Sequence, residues 1–213
     1  MKTKVKNSPA PYKNFNGKFI DTIYQVICEG RLPLSVEGVM RRGIDAIAGG
    51  GNDDISFAKN LFTGDAIAYH PDGRAKLVLD AGRLRRLSSK DRLSNGSLAL
   101  NNGSFEMLDA QELSREQLEA YAPNKTLRFE EAIFNPLLAS LARNPRLLVS
   151  YLDLPMFGDI GVYICPPPER AIMVPWMLNT KGKLAVVGFN DIESENSNVI
   201  GVLPNTLEHI AFV

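Results

Sequence analysis

The chain is 213 residues long, 45% hydrophobic and 23% charged, which excludes wholesale disorder and leaves room for one large domain or two small lobes. Its 24 basic and 24 acidic residues balance to zero, and two cysteines cannot build a disulfide framework. No apolar run approaches the roughly 18 residues that a bilayer crossing needs.

The first 17 residues are polar, and Lys2, Lys4, Lys6, Lys13 and Lys18 precede any acid; they predict an extended basic arm. No apolar stretch follows the basic start, so a secretory signal is not expected, and the expected location is the cytoplasm or a virion. Ile20, Ile23, Tyr24 and Ile27 fall at i, i+3, i+4, i+7, the stripe of an amphipathic helix that Gly30 ends. Cys28, and Cys165 far along the chain, lie in apolar runs and read as buried free thiols. Ser35 can cap a second helix with the stripe Val36, Val39, Met40, Ile44 and Ile47, stopped by Gly49-Gly50-Gly51. Asn52 can cap a short third helix, with Lys59 near its end and Gly64 just past it.

The period then changes to that of strands. Ala66–Tyr69 and Arg74–Leu79 flank His70-Pro71-Asp72-Gly73, a hairpin by its turn chemistry. Ser97–Leu100 and Ser104–Leu108 flank Asn101-Asn102-Gly103, which predicts a second hairpin. Ser114 with Gln117 forms a capping box for a short helix. Phe129, Ile133, Leu137, Leu138 and Leu141 mark another helix, restarted at Asn135-Pro136 and closed by Asn144-Pro145. From Arg146 on, strands are expected at 147–154, 160–165, 171–178, 184–189 and 199–203. The expected class is therefore α+β, with N-terminal helices and two hairpins packed with a C-terminal, mainly antiparallel β-meander. Its parts are the arm 1–17, a helix-rich region 18–145, and a β region 146–213 sharing one core with 18–145.

Common catalytic signatures are missing. Neither Gly-x-Gly-x-x-Gly nor a Walker-type phosphate loop occurs. His70 in a predicted loop and His209 near the end are the two histidines; no Gly-x-Ser-x-Gly elbow accompanies them, and no Cys/His pair has zinc-ligand spacing. A divalent-metal site needs only two or three carboxylates, and Asp153, Asp159 and Glu169 fall on or beside consecutive predicted strands. Carboxylates at strand ends are also common as plain structure. No cofactor and no metal site is expected.

Two features point to partners. The stretch 83–92 carries Arg83, Arg85, Arg86, Lys90 and Arg92 against Asp91 alone, with Leu84, Leu87 and Leu93 as an apolar side. Arginine suits bidentate phosphate contacts. After Lys183 only acids remain, Asp191, Glu193, Glu195 and Glu208, so a basic arm, a basic stretch and an acidic end share one neutral chain. The resulting expectation is a non-enzymatic structural or assembly subunit, such as a phage-type virion component, in a homo-oligomer or with other protein subunits and without a membrane. Its partner- or nucleic-acid-binding residues would be Lys2, Lys4, Lys6, Arg83, Arg85, Arg86, Lys90 and Arg92. A nucleic-acid-associated module using 83–92 is the second reading, and a carboxylate-metal hydrolase centred on Asp153 the third.

Overall fold

Strand β1 (Tyr12–Gly17) and helix α1 (Phe19–Cys28) open the computed structural model, which describes residues 10–49, 60–87, 91–122, 125–155, 157, 160–180, 184–188, 192–193, 196–204 and 206. Next come β2 (Leu32–Pro33), α2 (Val36–Ala48), β3 (Leu61–Tyr69), β4 (Ala75–Val78) and one turn of 3-10 helix at Leu84–Arg86. The middle of the chain holds β5 (Leu93–Ser94), β6 (Ser97–Ala99), α3 (Asn102–Glu106), β7 (Gln111–Leu113), α4 (Arg115–Tyr121) and β8 (Thr126–Leu127). Three short helices follow, α5 (Phe129–Ile133), α6 (Pro136–Ala142) and α7 (Pro145–Leu152). Strands β9 (Ile160–Ile164), β10 (Ile172–Asn179), β11 (Leu184–Gly188) and β12 (Ser197–Val202) complete an α+β fold around a mixed sheet of 12 strands.

The sheet's main path runs β1-β12-β3-β10-β11-β9-β8. Pairing is mainly antiparallel, as expected, but β9 and β11 are parallel, as are β12 and β3. The meander order therefore holds only for the β10–β11 hairpin. Strand β9 lies beyond β11, so residues 165–171 must cross the end of β11 to start β10.

The sheet separates two apolar clusters. One holds Trp176, Tyr69, Tyr151 and Met40, with side chains from α2, α4, α6 and α7. The other holds Phe15, Phe19, Ile23, Phe62, Leu84, Leu87 and Met173, from α1, the 3-10 turn and the opposite sheet face. The α1 stripe is rotated from its expected position: Phe19, Thr22, Ile23 and Val26 are buried, while Tyr24 is 63% exposed. Phe19, missing from the predicted stripe, packs on Phe62 at 5.1 Å and draws the helix round. This rotation also leaves Cys28 exposed, and Cys165 is half-buried, so neither thiol is the buried one expected.

Other local readings need correction. Residues 147–154 are not a strand but mainly α7: Asn144 caps the N–H groups of Arg146 and Leu147, and Pro145 fills the first helical position. Thus Asn144-Pro145 starts a helix instead of closing one, and Leu147, Leu148, Tyr151 and Leu152 are its buried face. The third helix, 52–59, lies outside the described residues, and Gly64 belongs to β3. The second hairpin is β5–β6, turned by Asn95-Gly96, both at positive φ (49° and 69°). The later Asn-Gly pair starts α3 instead, because Asn101 Oδ1 accepts from Ser104 N at 2.6 Å. The Ser114–Gln117 box and the restart at Asn135-Pro136 stand as read.

The extended stretch before α1 is a strand of the chain's own sheet. Tyr12–Gly17 pair with Val202–Ser197, and Phe15 is 5% exposed. Buried Arg31 fastens its start, donating to Ala10 O at 2.9 Å and Pro11 O at 3.1 Å.

Candidate functional site

Strand β10 shares one of its edges between two partners. At Ile172 and Met173 it pairs with β6, and at Met177–Asn179 with β11. The edge between them has no strand among the described residues, and Pro175, which has no N–H for a ladder, falls in that stretch. A cleft of about 770 Å³ opens there. Phe62, Val174, Met177 and Val187 give it apolar surface, while Asn60, Ser94, Asn95 and Ser97 supply amides and hydroxyls.

The strap Cys165–Arg170 forms its other wall. Pro166-Pro167-Pro168 stiffens the strap, because proline fixes φ and favours an extended helix of three residues per turn. Both ends are pinned. Tyr69 Oη donates to Gly188 O at 2.7 Å and accepts from Cys165 N at 3.2 Å, and Leu100 N donates to Ala171 O at 2.8 Å. Burial pushes the Tyr69 phenol up, so it remains a donor. Gly188 is required at this junction: a Cβ there would stand 2.8 Å from Trp176 Cζ3 and 2.9 Å from Tyr69 Oη.

A second hollow, about 420 Å³, lies across the strap and shares Cys165, Pro166 and Pro167 with the cleft. Tyr69, His70, Leu118, Ile164, Arg115 and Glu119 line it. His70, in the turn between β3 and β4, is largely covered: its side chain is 14% exposed, with its ring 4.9 Å from Phe105 and Nδ1 2.9 Å from Asp72 Oδ1. Cys165 and His70 share this hollow, yet burial pushes the thiol up and holds it protonated. That is the opposite of an activated cysteine.

A buried charge supports the sheet from below. Between its pairings with β10, the β3 segment Thr63–Asp65 stands opposite the single residue Trp176, a bulge that aims Asp65 away from the ladder. Asp65 is 0% exposed; Oδ2 accepts from Val36 N at 2.7 Å, and Oδ1 from Asp80 N and Arg143 Nη2, each at 2.8 Å. Burial raises its pKa, opposed by Arg143 and the Val36 bond. Composition and periodicity held no signal for this residue; an Asp in an otherwise apolar strand was the only available hint.

The sequence-predicted binding residues separate. Lys2, Lys4, Lys6 and Lys90 lie outside the described residues. Arg83, Arg86 and Arg92 are exposed, whereas Arg85 turns inward to Asp80, and burial pushes its pKa down. Arg85 therefore anchors the stretch instead of presenting a free cation. Asp153 is the C-cap of α7, not a strand carboxylate, and Glu169 is on the strap. Asp159 and His209 lie outside the described residues. Among the described residues no three His, Cys, Asp or Glu side chains are grouped to hold a metal ion, and no helix is long and apolar enough to cross a membrane.

No family model and no curated protein matches the chain. A solved chain from Nanoarchaeota, described in terms of the accommodation of massive sequence variation by the C-type lectin fold, superposes with a TM-score of 0.71. It is 14% identical, and the match covers 93% of this chain and 100% of that one. At that identity the likeness is one of architecture: this chain shares its α+β fold with a C-type lectin-fold protein.

Proposed function

We propose that this protein is a non-enzymatic binding subunit of a larger assembly, and that it seats a segment of a partner protein in the cleft beside the strap. The observation that carries this reading is the cleft itself, about 770 Å³ with an apolar floor, amides and hydroxyls at its edge and no histidine among the described residues that line it. Apolar surface with a few placed polar groups is the common make-up of binding clefts. The rigid proline strap lowers the entropy lost when a partner docks. The Nanoarchaeota neighbour's fold is described as accommodating massive sequence variation, which suits a scaffold used for binding.

The partner is another copy of this chain or a different protein subunit, in the cytoplasm or in a particle of the phage-virion type. Segregated charge supports assembly: Lys2, Lys4 and Lys6 begin the chain, and Asp191, Glu193, Glu195 and Glu208 end it without a base. Charge complementarity of this kind steers contacts more than it tightens them.

The test is selection of binding peptides from a random library. Met177→Glu, which sets a carboxylate on the cleft floor, should weaken the selected peptides by about tenfold or more, the equivalent of at least 1.4 kcal/mol. Arg115→Ala in the second hollow should not. Peptides that bind wild type and Met177→Glu alike would place recognition elsewhere, and cleavage of bound peptide would overturn the non-enzymatic reading.

A further inference from the structure

The single turn of 3-10 helix sorts the side chains of the basic stretch. With 3.0 residues per turn, positions three apart lie on one side. Leu84 and Leu87 are such a pair, 1% and 4% exposed, and they pack in the cluster that includes α1. Arg83 and Arg86 are another. Arg83 has helical dihedrals (φ −67°, ψ −39°), Arg86 N donates to Arg83 O at 3.2 Å, and both residues are exposed. Arg85 takes the remaining side and meets Asp80. Buried leucines and an inward arginine thus hold two outward guanidinium stems roughly 6 Å apart along the axis, at a rise of about 2 Å per residue.

Neither outward guanidinium makes a hydrogen bond or ion pair with any described residue. Several other arginines meet carboxylates instead: Arg41 with Glu37, Arg74 with Asp72, Glu106 and Glu112, Arg115 with Glu119, and Arg143 with Asp65. Two like charges held side by side repel each other. An anion placed between them relieves that repulsion.

We propose that Arg83 and Arg86 form a phosphate-binding ridge that takes the backbone of duplex nucleic acid without reading its sequence. Between Ala81 and Leu87 the exposed residues are Gly82, Arg83 and Arg86, with no apolar anchor of the kind that carries a protein–protein contact. The chain from 70 to 104 holds no Phe, Tyr or Trp, so this segment itself supplies no platform on which bases could stack. Phosphate contact alone remains, which positions a duplex without specifying it. Ridge and cleft share no residue, so this inference stands apart from the cleft reading.

Fluorescence anisotropy with two labelled duplexes of unrelated sequence, from about 50 to 200 mM salt, tests it. Two contacts give an expected log–log slope of about −2, equal for both duplexes. The Arg83→Gln/Arg86→Gln variant should lose that slope and bind about tenfold or more weakly at the lowest salt. Arg83→Lys/Arg86→Lys should keep the slope, and Arg146→Gln on α7 should change nothing, which separates loss of contact from loss of fold or of net charge. No binding at low salt, a slope unchanged in the double Gln variant, strong preference for one duplex, or binding only to phosphatidylserine vesicles would each overturn the proposal.

Discussion

Asp65 and Arg143, 78 residues apart in the chain, meet at 2.8 Å between Oδ1 and Nη2, and the carboxylate of that pair is 0% exposed. The guanidinium keeps 32% of its side-chain surface and also lies 3.5 Å from Glu37. Removing one partner of a buried pair leaves an uncompensated charge. Arg143→Ala should therefore cost about 3 kcal/mol in denaturant unfolding, the low end for such pairs because the arginine is partly in water. A loss below about 0.5 kcal/mol would show the pair to be incidental.

The same carboxyl sets a pH dependence. Its folded pKa is raised, first by burial, so the folded state binds its proton more tightly than the unfolded chain. The stability Asp65 contributes is then greatest below the ordinary carboxylate range and declines as pH rises through the raised value. The stability difference between wild type and Asp65→Asn should shrink with rising pH in that window. Growth of the difference would mean that Arg143 outweighs burial. Glu106 and Glu131 work the other way: their pKa values are lowered, by the Arg74 bond and the Arg128 N–H respectively. Their contributions are lost on acidification.

Tyr69→Phe removes one hydroxyl and two hydrogen bonds, leaving Gly188 O and Cys165 N without their partner. The expected cost is about 1–3 kcal/mol. Amide exchange at Cys165 should accelerate more than at Leu100, whose bond to Ala171 O is untouched. Equal acceleration would show that Tyr69 stabilises the fold generally and does not pin the strap.

Gly188→Ala and Gly161→Ala form a paired test of packing. Both would place a Cβ within 3 Å of an aromatic ring, Trp176 in the first case and Tyr163 in the second. Trp176 is fully buried, whereas Tyr163 is partly exposed and can swing aside. Overpacking should cost about 1–3 kcal/mol at Gly188 and distinctly less at Gly161. Thermal melts of the two variants would settle the order.

Ile23→Ala should cost about 2–5 kcal/mol, because Ile23 is 1% exposed. Tyr24→Ala, one residue on, should change stability by less than about 0.5 kcal/mol. Comparable losses would mean that α1 lies on the sheet in the orientation the periodicity suggests.

Some features were legible from the residues alone because their causes are local. Ser35, Ser114 and Asn135 cap the helices they were expected to cap, each with its own side chain, and the Pro-Asp-Gly turn closes β3 on β4. The α+β class and strands β9 to β12 were legible for the same reason, since β-branched runs bounded by turns carry their own signal. Stripe phase was less secure: α1 turned because Phe62, distant in sequence, offered a surface to Phe19. Residues 147–154 were ambiguous by periodicity, and Asn144-Pro145 reads equally as a stop or a start until α2 and α5 pack against α7. The cleft was not legible at all. It exists because β6 and β11 diverge along β10, because the β9–β10 connection crosses β11, and because Tyr69 ties that crossing to Gly188. Each of these joins residues remote in sequence, and no property of either partner by itself marks the other.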